Sequence, residues 1–184
     1  KNLIKRTVSA EALPYGEIAF LVYSEWNCFG KSEVSMREKN VILKNKVIFV
    51  TGAAGFIGSN LVKELLCEVQ PVHIVGIDNM NNYYDVSIKE YRLKQIEKLV
   101  EEHPKSTWKF VKGSIADKAL VDSLFEEYKP NVVVNLAAQA GVRYSITNPD
   151  VYIQSNLIGF YNILEACRHS YDNGQTGVEH LVYA

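Results

Sequence analysis

Val47-Ile-Phe-Val-Thr-Gly-Ala-Ala-Gly-Phe-Ile-Gly58 is the stretch on which the reading of the whole chain depends. Val47 to Val50 is a run of apolar, mostly β-branched residues and predicts a buried strand. Gly52, Gly55 and Gly58 follow at intervals of three, and Ile57, Leu61 and Leu65 then recur at helical spacing. A glycine pattern is weak alone. Between a strand and a helix it becomes a dinucleotide-site motif. Gly52 gives the tight turn, Gly55 lets the backbone approach a pyrophosphate, and Gly58 lets the helix pack close to the strand. The phosphates would meet the helix N-terminus, where unpaired N–H groups favour negative charge.

From this stretch outward the chain alternates. Val72–Ile77, Trp108–Val111, Asn131–Leu136 and His180–Ala184 read as strands. Between them lie helical patterns: one to about Val69, one over 87–102 with Leu93, Ile96, Leu99 and Val100 on one face, and one capped by Asp117 with Leu120, Val121, Leu124, Phe125 and Tyr128 in a stripe. A long helix is expected from Pro149 to about His169. Alternating strands and helices predict βαβ units. The expected fold is therefore α/β: a Rossmann-like, doubly wound parallel sheet in three layers, ending after its fifth strand. Residues 1–43 do not fit this pattern. They are expected to be an extension and linker, with a short strand at Ile18–Tyr23 between the breakers Pro14, Gly16 and Gly30, and with the domain starting near Met36 as one possibility. The domain itself is expected over 44–184.

The sequence has 184 residues, 47% hydrophobic and 22% charged, with net charge −1. That composition is ordinary for a globular domain. No basic field points to nucleic acid or an anionic membrane, and no apolar run is long enough for a span. Cys28, Cys67 and Cys167 lack metal-ligand spacing, as do His73, His103, His169 and His180. Reduced thiols in a cytoplasmic protein, with no metal site, are the expectation.

Asp78 stands twenty residues after Gly58, at the end of the second strand. A carboxylate there bonds a ribose 2′-hydroxyl and repels a 2′-phosphate, so NAD is expected over NADP. Leu136-Ala-Ala-Gln139 ends the fourth strand; its small residues either let the backbone approach a cofactor or fill a tight turn. Arg143, Tyr144 and Ser145 follow in the next loop. A guanidinium there binds an anion in bidentate fashion or makes a surface salt bridge. Lys112–Asp117 could edge the adenine pocket. Helix 150–169 is apolar nearly all round, which calls for cover on two sides, from the sheet and from either its own chain or a partner subunit.

Four motifs, Thr51-Gly-Ala-Ala-Gly-Phe-Ile-Gly58, Gly76-Ile-Asp-Asn79, Asn135-Leu-Ala-Ala138 and Asn156-Leu-Ile-Gly159, resemble the extended short-chain dehydrogenase/reductase family and its nucleotide-sugar epimerases. Ile77-Asp-Asn-Met-Asn-Asn-Tyr-Tyr-Asp-Val-Ser87 and Ala137-Ala-Gln-Ala-Gly-Val-Arg-Tyr-Ser145 are similar to UDP-glucuronate 4-epimerases. The resemblance covers residues 44–184. It implies that Gly52, Gly55, Phe56, Ile57 and Gly58 hold the pyrophosphate side of NAD. It places Asp78 and Asn79 on the adenine ribose with Met80 and Asn82 nearby, and Ser114 and Ile115 by the adenine. Leu136, Ala137, Ala138 and Ala140 would line the nicotinamide side, supported by Asn156. Gln139, Arg143, Tyr144 and Ser145 would face the substrate. The implied reaction interconverts UDP-glucuronate and UDP-galacturonate by oxidation and re-reduction at C4, through a 4-keto intermediate, in a homodimer formed through helix 150–169.

Two departures follow. Ser114 stands where the family usually has Asp, which predicts slightly weaker NAD binding. The family's Ser or Thr after the fifth strand and its Tyr-x-x-x-Lys pair are not in the sequence: Tyr161 and Tyr171 lack Lys at the fourth following position. No catalytic residue is therefore assigned within 1–184. Those groups, and the substrate domain, are expected beyond Ala184, and the chain alone is expected to be inactive. Two alternatives stay open: another NAD-dependent sugar-nucleotide dehydratase, decarboxylase or epimerase, and a non-catalytic NAD-binding module.

Overall fold

Strand β1 (Val47–Thr51) lies at the centre of a five-stranded parallel sheet. In the computed structural model, residues 41–172 and 177–184 are described; the expectations for residues 1–40, including the Ile18–Tyr23 strand, Met36 and Cys28, lie outside them. β2 (His73–Asp78) pairs with one side of β1, matching Phe49 to Val75, and β4 (Val132–Asn135) with the other, matching Phe49 to Val133. β3 (Thr107–Lys112) and β5 (His180–Tyr183) complete the order β3-β2-β1-β4-β5. The strands sit within one or two residues of their expected positions.

The side-chain period of two in a strand sends alternate residues to opposite faces. Ile48, Val50, Ile74, Val132 and Val134 point to one face and pack with Val62, Leu65 and Leu66 of α1 (Phe56–Glu68) and Ile96 of α2 (Val86–Glu102). Phe49, Val75, Ile77 and Val133 point to the other. They meet Val121, Leu124 and Phe125 of α3 (Lys118–Tyr128), with Ile163 and Ala166 further along the chain. The result is three layers with an apolar core on each side of the sheet, the doubly wound α/β arrangement expected. β1, β2 and β4 are buried on both faces because helices cover both, as parallel sheets require.

The helix ends are set locally. Asp85 caps α2 by accepting from the Ser87 amide at 2.9 Å, and Asp117 caps α3 by accepting from Leu120 at 3.1 Å. The chain after β4 differs from expectation in two ways. A short turn of helix, α4 (Tyr144–Thr147), replaces a plain loop. The long helix then runs continuously as α5 (Pro149–Tyr152), a π-helical stretch (Ile153–Gly159) and α6 (Phe160–His169). Its outer side, with Ile153, Leu157, Ile158, Tyr161 and Leu164, is exposed. Another correction concerns α1. Ile57 is exposed rather than on the buried stripe, which consists of Gly58, Ser59, Val62, Leu65 and Leu66. Phe56, in the same first turn, is exposed as well.

Candidate functional site

In a parallel sheet, strand order reverses where the chain leaves one side of the first strand for the other. Here that point lies between β1 and β4, and ligands of open α/β sheets bind beyond the carboxyl ends of the strands beside it. A cleft of about 380 Å³ opens there. Gly52, Gly55, Phe56, Asp78, Asn79, Ser114, Ile115, Leu136, Ala137, Ala138, Gln139 and Ala140 line it. Four segments separated in sequence by up to 88 residues are thus joined in one crevice, between Gly52 and Ala140.

The glycine turn forms the floor. Gly52 has φ +67°, in the left-handed region where a side chain is strained. A Cβ on Gly58 would lie 2.2 Å from the Gly52 carbonyl oxygen, so only glycine lets α1 start against the turn. No side chain caps α1, whose N-cap is Gly55. The amides of its first turn have no acceptor within the helix and are left for an anion. Beside the turn, the Thr51 hydroxyl donates to Asn135 Oδ1 at 2.7 Å and accepts from the amides of Leu136 and Ala137 at 3.0 and 2.9 Å. This buried clasp fixes the start of the β4 loop against the turn.

Asp78 forms one wall of the cleft and is itself held by several partners. Its Oδ1 accepts from the Met80 amide at 2.8 Å and from Lys89 Nζ at 3.1 Å, and its Oδ2 accepts from the Ala54 amide at 3.3 Å. The Asp78 and Lys89 side chains are only 6% and 9% exposed, so this ion pair is buried. Lys89 also donates to Asn81 Oδ1 at 3.3 Å, and Asn81 Nδ2 donates to Gln139 Oε1 at 3.3 Å. Gln139 is buried; its amide donates to Asn156 Oδ1 at 2.8 Å, and its carbonyl accepts from Asn156 Nδ2 at 3.1 Å. One polar chain therefore runs from Asp78 to Asn156, which stands in the π-helical stretch, a feature common at functional sites.

Not all expected residues converge. Asn156 reaches the cleft through Gln139, and Met80 contributes its amide to Asp78 rather than a wall. Asn82 and Ile57 are exposed and are not in the lining. Arg143 is exposed and is not among the residues that line the cleft. Ser145 donates its hydroxyl to the Val142 carbonyl, and Tyr144 packs against Tyr83 at 5.0 Å between ring centres.

The sequence reading missed Lys89, Arg92, Tyr83 and Tyr84, all of which line the cleft. Arg92 donates to the Ala54 carbonyl at 3.3 Å and lies over the Phe56 ring, 5.7 Å from its centre. A signal for Lys89 was present. It occupies the apolar stripe of α2 at spacings of four and seven from Leu93 and Ile96, where a charge needs a buried partner. Cys167, the half-buried thiol on α6, is pushed up to about 12 by burial and stays protonated at neutral pH. Among the described residues no cluster of His, Cys, Asp and Glu could hold a metal ion, and no helix is long and apolar enough to cross a membrane.

The arrangement suits a dinucleotide on three counts: uncapped helix amides beside glycines that exclude a Cβ, a carboxylate at the end of β2, and a small-residue loop after β4. Residues 49–180 match the GDP-mannose 4,6 dehydratase family. Protein CapI of Staphylococcus aureus is 46% identical over 74% of the chain, and a probable UDP-glucuronate 4-epimerase of Rhizobium meliloti is 40% identical over 65%. These matches cover 36% and 33% of the two relatives, so the chain spans about a third of their length. The structure of Thermus thermophilus UDP-glucose 4-epimerase in complex with NAD is 31% identical, with a TM-score of 0.52, over 67% of this chain and 34% of that one.

Proposed function

This chain belongs to the GDP-mannose 4,6 dehydratase family of NAD-dependent epimerases and dehydratases, and from that premise we propose that it is the NAD-holding portion of a UDP-glucuronate 4-epimerase. The observation that carries the proposal is the joining of the Gly52–Gly58 turn, Asp78 and the Leu136–Ala140 loop around one cleft at the strand-order reversal. The amides of the first turn of α1 would hold the pyrophosphate, Asp78 and Lys89 the adenine ribose, Ser114 and Ile115 the adenine, and Leu136 to Ala140 the nicotinamide side. NAD supplies hydride acceptance and return at C4 of the sugar. What these residues do is bind and orient it. Among the 184 residues there is no Tyr-x-x-x-Lys to move the proton.

The uronate specificity is supported by the similarity to UDP-glucuronate 4-epimerases, in whose shared stretch Ala137–Ser145 stands the exposed Arg143, a side chain suited to a carboxylate. A homodimer through the exposed apolar side of helix 149–169, in the cytoplasm, belongs to the same proposal. The test is an assay of the protein encoded by the full reading frame that contains these residues. It is expected to convert UDP-glucuronate to UDP-galacturonate, whereas the 184 residues alone bind cofactor and give no turnover. Conversion of UDP-glucose but not UDP-glucuronate by the full-length protein would overturn the substrate assignment. Turnover by the 184 residues would overturn the separation of binding from proton transfer.

A further inference from the structure

Loops that leave a sheet are held less firmly than its strands, so a loop that lines a ligand cleft needs partners of its own. The loop after β4 has them on two sides. From the long helix, Asn156 bonds the amide and the carbonyl of Gln139, and the Tyr152 hydroxyl donates to the Ala140 carbonyl at 3.0 Å and also to that of Gly141. From the other side comes the loop between β2 and α2. β2 and β4 lie on opposite sides of β1, so this loop reaches across the end of β1 to make its contacts. Asn81 Nδ2 donates to Gln139 Oε1, and the Tyr83 ring lies 5.0 Å from that of Tyr144.

Gly141 marks the point where the two sides meet. Its φ is +95°, in the left-handed region that glycine tolerates. A Cβ there would lie 2.1 Å from Tyr83 Oη and 3.1 Å from its Cζ. The hydroxyl end of Tyr83 therefore occupies the place that a side chain at 141 would take. Tyr83 also packs edge-on against Tyr84 at 4.7 Å, and Tyr144 lies 5.0 Å from Tyr83 and 6.4 Å from Tyr152 between ring centres. The turn at 140–141 is thus pinned by hydrogen bonds from Tyr152 and blocked at its Cα by Tyr83. Tyr83, Gln139 and Ala140 all line the cleft, so a shift of this turn alters the cleft itself.

We propose that Tyr83 is a positioning residue: its hydroxyl end, set against Gly141, keeps Leu136–Ala140 where the loop receives the nicotinamide half of the cofactor. This rests on the dinucleotide reading of the cleft and deepens it. The probes are NADH and AMP, which carries only the adenine half. In Tyr83→Phe the ring remains on Tyr84 and Tyr144, and only the hydroxyl is lost. NADH affinity for the 184-residue chain is expected to fall about threefold or more, with AMP affinity unchanged within about twofold. The emission of bound NADH, which reports how far the dihydronicotinamide ring is shielded from water, should fall with it. Unchanged NADH affinity or emission overturns the proposal. Equal losses for NADH and AMP also overturn it, because they show a tyrosine that supports the whole cleft rather than one half.

A size exchange supplies a second measurement. Gly141→Ala sets a Cβ against the Tyr83 hydroxyl and should weaken NADH binding. Adding Tyr83→Phe removes the atom that the Cβ meets, while the backbone strain at 141 is common to both variants. The double variant is therefore expected to bind NADH more tightly than Gly141→Ala alone; equal or weaker binding overturns the contact as the source of the effect. If the wild-type chain binds neither NADH nor AMP, the cofactor reading itself fails. If it binds both and the variants do not respond as stated, only the role of Tyr83 fails.

Discussion

At Gly58 the constraint is a single missing atom. The Cβ of alanine, whose position the backbone sets, would lie 2.2 Å from the Gly52 carbonyl oxygen, itself backbone, so neither can turn away. Gly58→Ala should cost about 1–3 kcal/mol by overpacking and lower NADH affinity at least tenfold, because the first turn of α1 shifts off the glycine turn. Thermal melting and an NADH titration check this, and unchanged values would show that the turn relaxes freely. Ser114 is a milder case. Its hydroxyl accepts from the Ala116 amide at 3.2 Å at the edge of the cleft, where the proposal places the adenine. Ser114→Asp supplies a charged acceptor in the same place and should tighten NADH binding by roughly threefold to tenfold. Unchanged or weaker binding would count against the hydroxyl as the weak point. Residues of this kind differ in how well a sequence shows them. Gly58 and Asp78 are legible because a motif fixes their spacing. Lys89 is not, because its importance comes from a partner eleven residues away on another element, and only its place on an apolar stripe hints at it.

Among the elements, β1 and the long helix make opposite predictions. Phe49 is fully buried at the sheet centre, with Phe125 of α3 at 5.1 Å between ring centres. Phe49→Ala should destabilise the domain by about 3–5 kcal/mol, read as a large drop in denaturation midpoint; a loss under about 1 kcal/mol would mean that the layer collapses into the void. The outer side of the long helix is apolar and open. Leu157 is 60% exposed, near Ile153, Ile158, Tyr161 and Leu164. If a second copy covers that side, sedimentation of the wild-type chain shows a dimer and Leu157→Arg shifts it to monomer with the melting temperature little changed. A wild-type chain that remains monomeric at high concentration contradicts the dimer. The elements themselves were legible from alternation of periods. The π-helical stretch was not: apolar spacing over 153–159 is the same for a continuous α-helix, and the local widening that brings Asn156 to Gln139 depends on tertiary hydrogen bonds.

At the scale of the molecule, the order β3-β2-β1-β4-β5 places the reversal of strand order beside β1, and every feature of the cleft follows from that placement. The glycine turn leaves β1, the carboxylate ends β2, and the small-residue loop leaves β4. A chain that alternates strand and helix predicts the three layers. It does not by itself say how tightly Asp78, Lys89, Asn81, Gln139 and Asn156 are bonded into one line beside the cleft. The central claim is that this cleft holds one dinucleotide. Titration of NADH into the 184-residue chain by isothermal calorimetry tests it most directly. Saturable binding at one NADH per chain is predicted; the absence of saturable binding to a chain shown to be folded by circular dichroism would contradict it.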